Sequence, residues 1–470
     1  MNERARTATT APPPDPMDER GIAGFAGDLR AGSISIAAAT EAYLARIEAL
    51  NPRLGAYQHV DGDRTLAQAR ALDALLAAGT DLGPLMGVPV AIKDILVVDG
   101  MPTTNGSKLD MSDVMGPEGA FVRALKHAGC VILGKTKTVE FAMGSTGINH
   151  VRGTPWNPWD ASIHRIPGGS SSGSAAALGA GLCAFAIGTD TGGSVRMPAA
   201  VCGLFGLKTT KGLWPTDGVY PLCPTLDSIG PLTRTAADAA FVFAALQDCP
   251  TPRAAAPRGL RLGRPQDHFL SGVDADVERC AGHAIDALAN AGVEIVDVEI
   301  PHSQELRELM LPLIASEAVA VIGRERFVRA ENIMDPSGWR RMKRGLDIRA
   351  DEYIRTVGRH EELARIADAA LADIDGWVTP TVPLSPLPVA QFETREGFER
   401  LDPMMSMNTR IGSYYRLCAI TSPIQMLGAP LPAGLQIIGR AFTEAHALSI
   451  GLMLEEMNGP PPRADVGAFL

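Results

Sequence analysis

Short, nearly uncharged apolar segments alternate along this chain with longer segments that show the apolar spacing of helices. We predict strands over the first kind and helices over the second, because apolar periodicity is the main sequence signal of secondary structure. The predicted strands are 88–98, 130–133, 185–187, 260–262, 293–300, 377–381 and 435–438. The predicted helices are 40–50, 65–78, 120–128, 174–180, 235–246, 274–291 and 444–456. Such alternation is typical of an α/β protein, so we expect a single large layered domain with a mixed, mostly parallel, twisted central sheet covered by helices on both faces.

Length and composition exclude several classes of protein. The chain has 470 residues, 46% of them hydrophobic, so it can bury a large core and is not intrinsically disordered. Its net charge of −10 argues against nucleic acid as a partner, and the absence of a long run of large apolar residues argues against a membrane span. The seven cysteines are scattered and never spaced C-x-x-C, which favours reduced side chains in a cytoplasmic protein.

Three segments stand apart from the predicted α/β pattern. Residues 1–20 are rich in Pro and Thr and lack the apolar stretch of a signal peptide, so we expect a mobile N-terminal arm before a domain at 21–470. Residues 248–256 are rich in Pro, Ala and Arg, which predicts a surface linker inside that domain. Residues 303–349 have a long helical pattern and form either a helical insertion or lid or a packed pair of core helices.

A lysine lies inside the apolar segment 88–98. The chain has only eight lysines among its 43 cationic residues, so Lys93 stands where this sequence would otherwise carry an arginine or no charge. Burial disfavours the ammonium form, and a desolvated lysine can therefore lose its proton and act as a base, which arginine cannot do. The alternative is a structural lysine that pairs with Asp94 or reaches solvent from the end of the strand.

Two loops rich in Gly and Ser follow. The first, 167–174, precedes the Ala-rich helix and can serve as a loop and helix cap. It also contains the G-x-S-x-G pattern of a nucleophile elbow, which we do not favour because 163–167 is a poor strand. In the second, 188–194, two glycines precede Ser194 and let consecutive N–H groups converge beside its hydroxyl, as an oxyanion hole requires. A phosphate-binding loop needs a Gly-Lys-Ser/Thr sequence at its end, and none follows this loop.

The run 168–209, with the Lys93 segment upstream, resembles the amidase signature family of serine amidohydrolases, more loosely over 87–234 and 431–440. The resemblance places a catalytic core at about 85–235 and implies a Ser–cis-Ser–Lys triad. In that triad Lys93 is the base, Ser170 the bridging serine on a cis peptide bond and Ser194 the nucleophile. The resemblance further implies an oxyanion hole formed by Thr191, Gly192, Gly193 and Ser194, and a supporting network formed by Ser171, Asp190 and Arg196.

The expected reaction is hydrolysis of a carbon–nitrogen bond other than a peptide bond, through an acyl-enzyme and without a cofactor or metal. Small-molecule amides, esters or carbamates are the expected substrates, and a homodimer is one assembly that we consider. The first alternative is the glutamine-hydrolysing A subunit of a tRNA-dependent amidotransferase. Its Tyr-Asp-Gly-Val-Arg-Tyr-Gly stretch is missing here, and 224–228 reads Pro-Thr-Leu-Asp-Ser instead of Ser-Ser-Leu-Asp-Gln. A binding protein that retained the fold is disfavoured because all three triad positions are filled.

The acyl pocket is expected to come from the variable segments 143–146, 214–224 and 303–349. Met143, Gly144 and Ser145 are the predicted substrate contacts. The apolar side chains of these segments favour an aryl or alkyl group, and they are Trp214, Tyr220, Leu222, Leu309, Met310 and Leu313. None of the nine histidines lies in an H-E-x-x-H motif, so no metal site is expected. His164 precedes the first loop, and we favour a packing role for it over a place in the pocket.

Overall fold

One eleven-stranded sheet forms the centre of the protein. The computed structural model describes residues 11–266, 269 and 272–470. The strands are β1 (Tyr57–Val60), β2 (Pro89–Lys93), β3 (Val131–Thr136), β4 (Phe185–Asp190), β5 (Phe205–Lys208), β6 (Ser228–Thr233), β7 (Arg261–Pro265), β8 (Glu294–Val298), β9 (Gly376–Pro380), β10 (Cys418–Pro423) and β11 (Gly434–Gly439). Their order across the sheet is β1-β3-β2-β4-β6-β5-β10-β11-β9-β7-β8. Strands from both sides of the 248–256 loop share this sheet, so the described chain is a single α/β domain.

Helices cover the sheet. They are α1 (Gly21–Arg30), α2 (Ile36–Leu54), α3 (Gly62–Ala77), α4 (Ala120–His127), α5 (Ser172–Gly179), α6 (Arg196–Val201), α7 (Ala236–Gln247), α8 (Ala275–Ala291), α9 (Leu306–Ile322), α10 (Arg324–Arg329), α11 (Pro336–Met342), α12 (Ala350–Ala370), α13 (Arg395–Met405), α14 (Arg410–Tyr414) and α15 (Glu444–Asn458). Every residue of the central strands β2, β4, β6 and β10 is buried. Because successive side chains of a strand point to opposite faces, both faces of this sheet are covered.

The expectation of a mostly parallel sheet is wrong. Of the ten pairings between the described strands, six are antiparallel and four are parallel. The sequence patterns missed β1, β5, β6 and β10, and all four pair antiparallel with their neighbours. No α-helix separates β5 from β6 or β10 from β11 in these fully described stretches, and strands joined without a crossover helix pair antiparallel.

The strand predicted over 88–98 ends earlier, at Lys93. Asp94 leaves the strand and accepts a hydrogen bond from the Thr104 N–H at 3.2 Å, and the chain turns back so that Ile95 N–H donates to the Lys93 carbonyl at 2.8 Å. β2 runs parallel to β4, with Ile92 opposite Ile187. The carboxyl ends of these two strands therefore lie side by side, which is where α/β sheets commonly bind ligands.

The structure tests only part of what was predicted for residues 1–20 and 303–349. The first ten residues of the predicted arm lie outside the described residues, and in the remainder Met17 is buried and Asp15 forms an ion pair with Arg234 at 2.6 Å. Residues 303–349 are helical, as predicted, and contain α9, α10 and α11. Their action as a mobile lid stays a prediction.

Candidate active site

The carboxyl ends of β2 and β4 bring a buried amine against two hydroxyl groups. Lys93 is fully buried, and its Nζ donates to Ser170 Oγ and to Thr189 Oγ1, each at 2.7 Å. The alternative pairing with Asp94 is absent, because the Asp94 carboxylate instead forms an ion pair with Lys135 Nζ at 3.0 Å. Lys93 therefore faces neutral partners within hydrogen-bond distance.

The environment lowers the pKa of Lys93. Burial disfavours the ammonium form and is the largest effect, whereas the negative charges of Asp227 and Asp190 act in the opposite direction, and together they bring the pKa of Lys93 to about 7. An ordinary lysine is almost entirely protonated at neutral pH. Lys93 can hold or release a proton there, as a general base must.

The first Gly/Ser-rich loop carries Ser170 past the end of β2. The Gly169–Ser170 peptide bond is cis, and Ser171 N–H donates to the Ser194 carbonyl at 3.3 Å, which holds the two loops side by side. Among the hydrogen bonds of the described residues, none joins Ser170 Oγ to Ser194 Oγ. The elbow alternative does not fit, because Ser171 Oγ is buried and bonds to the Thr189 main chain at 3.3 and 3.4 Å.

The second loop runs from the end of β4 to α6 and carries Ser194. The Asp190 carboxylate accepts hydrogen bonds from Gly193 N–H at 2.7 Å and Val195 N–H at 3.3 Å, which fixes the turn of this loop. Gly193 has a φ of +125°, and a Cβ atom there would lie 2.1 Å from Thr409 Oγ1, so glycine is required at this position. The N–H groups of Thr191, Gly192 and Ser194 donate no hydrogen bond in the part of the chain that the structure describes.

A buried ion pair supports this loop. Arg196 Nε donates to Asp190 Oδ2 and Arg196 Nη2 donates to Asp190 Oδ1, each at 3.0 Å, and both side chains are inaccessible to solvent. Burial alone would raise the pKa of Asp190, but the charge and hydrogen bonds of Arg196 outweigh it and lower the pKa to about 2. Asp190 is therefore a carboxylate at every pH at which an enzyme is normally assayed.

Sequence reasoning missed several residues of this network. Asp227 accepts hydrogen bonds from Thr191 Oγ1 and from Cys223 N–H at 2.9 Å, and burial, partly offset by these bonds, raises the pKa of Asp227 to about 6. Ser413 and Gln436 bind Arg196 at 3.0 and 3.2 Å from positions more than 200 residues away in the chain. Asp227 and Gln436 stand in the runs 226–228 and 431–440, which resemble the family, whereas no sequence signal marks Ser413.

A cavity of about 550 Å³ opens in front of Ser194. The predicted contacts Met143, Gly144 and Ser145 line it, together with Thr191 and Gly192. Of the six apolar side chains expected there, Leu222 and Met310 line the cavity, and the structure places the other four elsewhere. These four are Trp214, which packs on Phe121 and Phe243, Tyr220, which packs on Phe141, and Leu309 and Leu313 in α9.

Two helical segments complete the cavity wall. The 303–349 segment contributes Met310, Leu311, Ile314, Ser337, Arg340, Arg341 and Arg344. The segment around α13 and α14, which sequence reasoning missed, contributes Phe398, Glu399, Asp402, Pro403, Ser406 and Arg410. His164 does not line the cavity and instead stacks on Trp156 with ring centroids 4.4 Å apart, as its predicted packing role requires.

Neither a metal site nor a membrane span is found in the described part of the chain. Across 11–266, 269 and 272–470, no three or more His, Cys, Asp or Glu side chains are grouped in a way that could hold a metal ion. Within the same residues, no helix is both long enough and apolar enough to cross a bilayer.

Two features of this site are typical of serine-dependent hydrolases. One serine lines the cavity beside unengaged N–H groups, and a buried lysine is bonded to a second serine. The family model described as "Amidase" matches residues 38–448. The chain belongs to the amidase family, and it is a hydrolase that acts on carbon–nitrogen bonds other than peptide bonds.

Relatives and solved structures agree with this assignment. The chain is 37% identical to 2-amino-5-chloromuconic acid deaminase of Comamonas testosteroni, over 93% of this chain and 96% of the relative. It is 34% identical to the A subunit of the glutamyl-tRNA(Gln) amidotransferase of Geobacter metallireducens, over 91% of this chain and 95% of the relative. The native peptide amidase of Stenotrophomonas maltophilia superposes with a TM-score of 0.80 at 28% identity, over 96% of this chain and 99% of that structure.

Proposed function

We propose that this chain hydrolyses small-molecule amides with Ser194 as nucleophile, Ser170 as proton bridge and Lys93 as base. The observation that carries the proposal is the buried Lys93 amine, which lies 2.7 Å from Ser170 Oγ. The loop of Ser170 is bonded through Ser171 N–H to the main chain of Ser194, which lines the cavity. Burial keeps a fraction of this amine free of its proton at neutral pH, so the residue is available as a base before substrate arrives.

The reaction proceeds in two halves. Ser194 Oγ attacks the amide carbonyl while its proton passes to Ser170 Oγ and the Ser170 proton passes to Lys93 Nζ. The negative oxygen of the tetrahedral intermediate accepts hydrogen bonds from the unengaged N–H groups of Thr191, Gly192 and Ser194. The same path then returns a proton to the leaving nitrogen, and the C–N bond breaks. Water repeats the attack on the resulting ester and releases the acid.

The three predicted oxyanion positions that keep free N–H groups are retained in this proposal. Gly193, the fourth, acts through its conformation and its bond to Asp190, which shapes the loop. Asp190, Arg196 and Ser171 hold the two loops in place, and the buried hydrogen bonds of all three support this role.

Small molecules are the proposed substrates because the cavity is closed in by two helical segments and has the volume of a typical ligand site. The name of the Comamonas relative specifies an amino-substituted acid as substrate. Esters and carbamates also fit the mechanism, because the acyl-enzyme forms from any of these carbonyl groups. The 303–349 segment is proposed as an insertion that forms one wall and can act as a lid.

A cytoplasmic location and a homodimer complete the proposal. The location is supported by the cysteines, because all seven are free and six of them are buried. Gel filtration with light scattering tests the dimer, and a mass equal to that of one chain contradicts it.

Glutamine hydrolysis is the second candidate, because the A chain of a glutamyl-tRNA(Gln) amidotransferase matches at 34% identity over nearly its whole length. Glutamine turnover that appears only when the partner chains of such an amidotransferase are added supports this candidate. Turnover of other amides by the purified single chain supports the main proposal.

The test of the main proposal is covalent labelling and loss of activity at one serine. A fluorophosphonate is expected to modify Ser194 of the wild type, because only an activated serine reacts with it readily. Ser194→Ala is expected to lose the label and at least about four orders of magnitude in kcat for amides, as other triad enzymes do. Peptide mapping by mass spectrometry and amine-release kinetics measure both.

Ser112→Ala is the matched control, because Ser112 is exposed and does not line the cavity. It is expected to keep both label and activity. Near-normal amide turnover by Ser194→Ala, or labelling at a different serine, contradicts the proposal.

A further inference from the structure

Arginine side chains are concentrated around the cavity. Four of them line it, Arg340, Arg341, Arg344 and Arg410, against two carboxylates, Glu399 and Asp402. The excess of positive charge is local, because the whole chain has a net charge of −10. A cationic pocket in an acidic protein attracts anionic ligands and raises their local concentration.

Both cavity carboxylates already have partners. Asp402 forms an ion pair with Arg341 and accepts a hydrogen bond from Ser145 Oγ at 2.5 Å. Glu399 accepts a hydrogen bond from Arg395 Nε, at 2.7 Å, which comes from one turn earlier on α13. These pairs neutralise the acidic groups, so they do not offset the charges of Arg340 and Arg344.

Arg340 and Arg344 have no carboxylate partner among the residues that the structure describes. Arg340 Nε donates to the Pro336 carbonyl at 3.1 Å, which is a helical main-chain group without charge. The two arginines are four residues apart, one on α11 and one in the 3-10 turn Lys343–Leu346 that continues it, and both line the cavity. Like charges at this spacing repel each other, and a bound anion removes that cost.

The rest of the same wall is apolar. Met310, Leu311 and Ile314 of α9 line the same cavity as the cationic pair, and Met310 reaches the Ser194 loop, because a Cβ atom at Gly192 would lie 2.9 Å from Met310 Cε. Aliphatic carbon atoms are suited to this surface, whereas a guanidinium group matches a carboxylate through two parallel hydrogen bonds.

From this arrangement, and on the basis of the proposed function, we infer the substrate class: amides that carry a carboxylate separated from the scissile carbonyl by an apolar chain. Arg340 and Arg344 bind the carboxylate, α9 contacts the chain, and Ser194 attacks the amide. Monoamides of dicarboxylic acids are the simplest members of this class. The pair selects among substrates and takes no part in bond breaking.

The test compares acidic and neutral amides of equal length. We use the monoamides of succinic, glutaric, adipic and pimelic acid, with hexanamide as the neutral partner of adipic acid monoamide. For the wild type, kcat/KM of the best monoamide is expected to be at least about tenfold higher than kcat/KM of hexanamide, since charged hydrogen bonds supply this much. Arg340→Gln/Arg344→Gln is expected to lose about ten- to hundredfold on that monoamide, mainly through KM, and to lose much less on hexanamide, which has no carboxylate.

Two controls separate charge from folding. Arg329→Gln removes a positive charge from the same helical segment at an exposed position that is paired with Glu325 and does not line the cavity, so the preference is expected to stay. Arg344→Lys keeps the charge but not the bidentate geometry, so it is expected to lose less activity on the monoamide than the double Gln variant does. Circular dichroism melting curves verify that each variant is folded.

Binding is also measured without turnover, by calorimetry of the same amides on Ser194→Ala. Equal affinity for acidic and neutral amides, or a preference that survives in the double arginine variant, overturns the inference even when the wild type hydrolyses hexanamide and is labelled at Ser194. Failure of the proposed function gives a different result, because no amide is then hydrolysed and Ser194 is not labelled. Calorimetry still decides in that case whether the arginines bind a carboxylate.

Discussion

At the scale of single residues, the behaviour of Lys93 follows from its surroundings. Two hydroxyl groups can bond to the amine in either protonation state, so they do not hold its proton in place. Burial disfavours the ammonium, and the opposing influences are the carboxylates of Asp227 and Asp190, which raise the pKa of Lys93. The charge of Asp190 is balanced by Arg196. Asp227 is therefore the carboxylate whose removal is expected to change the pKa of Lys93.

The pH dependence of the reaction tests this account. The neutral amine is the active form and the pKa of Lys93 is about 7, so kcat/KM for amides is expected to fall as the pH drops below about 7. Asp227→Asn removes a negative charge that raises this pKa, so the acidic limb is expected to move to lower pH. The measurement is kcat/KM between pH 5 and 9 in buffers of constant ionic strength.

Two variants control the assignment. Asp110→Asn neutralises an exposed carboxyl away from the cavity and is expected to leave the limb in place. Glu140→Gln removes a buried carboxyl whose pKa burial raises to about 7, so an unchanged limb in this variant excludes Glu140 as its source. A limb that moves to higher pH in Asp227→Asn contradicts the role given to Asp227.

At the scale of elements, α11 is held in place by its first turn. Asp335 is its N-cap and accepts a hydrogen bond from Ser337 N–H at 2.9 Å. The other Asp335 oxygen bonds to His150 N–H at 2.8 Å, and Asp335 N–H donates to Glu140 at 2.5 Å. Glu140 begins the 3-10 turn that precedes Met143. Asp335 therefore attaches the arginine-bearing helix to the segment that leads to Met143, which also lines the cavity.

Removal of this attachment is expected to loosen the helix without unfolding the protein. Loss of an N-cap costs about 1 kcal/mol and at most about 2 kcal/mol, so Asp335→Ala is expected to speed amide hydrogen exchange in 336–346 by about five- to thirtyfold. Mass spectrometry of exchanged peptides measures this. Asp351→Ala, a surface position in α12 paired with Arg349 and Arg355, is expected to leave 336–346 unchanged. Equal protection in Asp335→Ala and the wild type contradicts the attachment.

At the scale of the whole molecule, Arg196 connects distant parts of the chain. Its guanidinium binds Asp190 at the end of β4, Ser413 in α14 and Gln436 in β11. Gln436 in turn donates to Thr379 in β9 and to the Asn408 carbonyl. These strands lie on both sides of the sheet centre, so the buried network joins the Ser194 loop to the C-terminal third of the fold.

Breaking this ion pair is expected to destabilise the entire domain. Arg196→Met leaves a buried carboxylate without its partner, and such changes cost about 3–5 kcal/mol in the free energy of unfolding. Chemical denaturation at pH 7 measures it. Arg440→Met removes an exposed arginine paired with Asp368 and is expected to cause no measurable loss. Similar stability of the two variants contradicts the role of the network.

The pH dependence of stability has a defined sign at the same site. The folded-state pKa of Asp190 is about 2, below the ordinary value of 3.8, so its stabilising contribution is present above pH 3.8 and is lost as the pH falls through about 2. Arg196→Met is expected to remove this acid-sensitive contribution. An unchanged acid unfolding profile in that variant contradicts the assignment.

The sequence by itself determined the α/β class, most helix and strand positions, and the identity of Lys93, Ser170 and Ser194 as the central residues of the proposed site. The class and the elements are carried by local patterns, since apolar periodicity acts within a few neighbouring residues. The three triad residues are what the resemblance of 168–209 and the Lys93 segment to the amidase signature family implies. The positions of Met143, Gly144 and Ser145 beside the cavity were also predicted, because they belong to one of the variable segments from which the acyl pocket was expected to come.

Only the tertiary structure decided the direction of the strands, the contacts of Arg196 and the composition of the cavity wall. The antiparallel pairing of β5, β6 and β10 depends on which strands become neighbours, and Arg196 meets Gln436 across 240 residues of chain. Arg340 and Arg344 are ordinary charged residues in sequence, and the role proposed for them depends on the packing that places them at the same cavity as Ser194. Local patterns specify elements, whereas contacts between distant segments depend on how the whole chain packs.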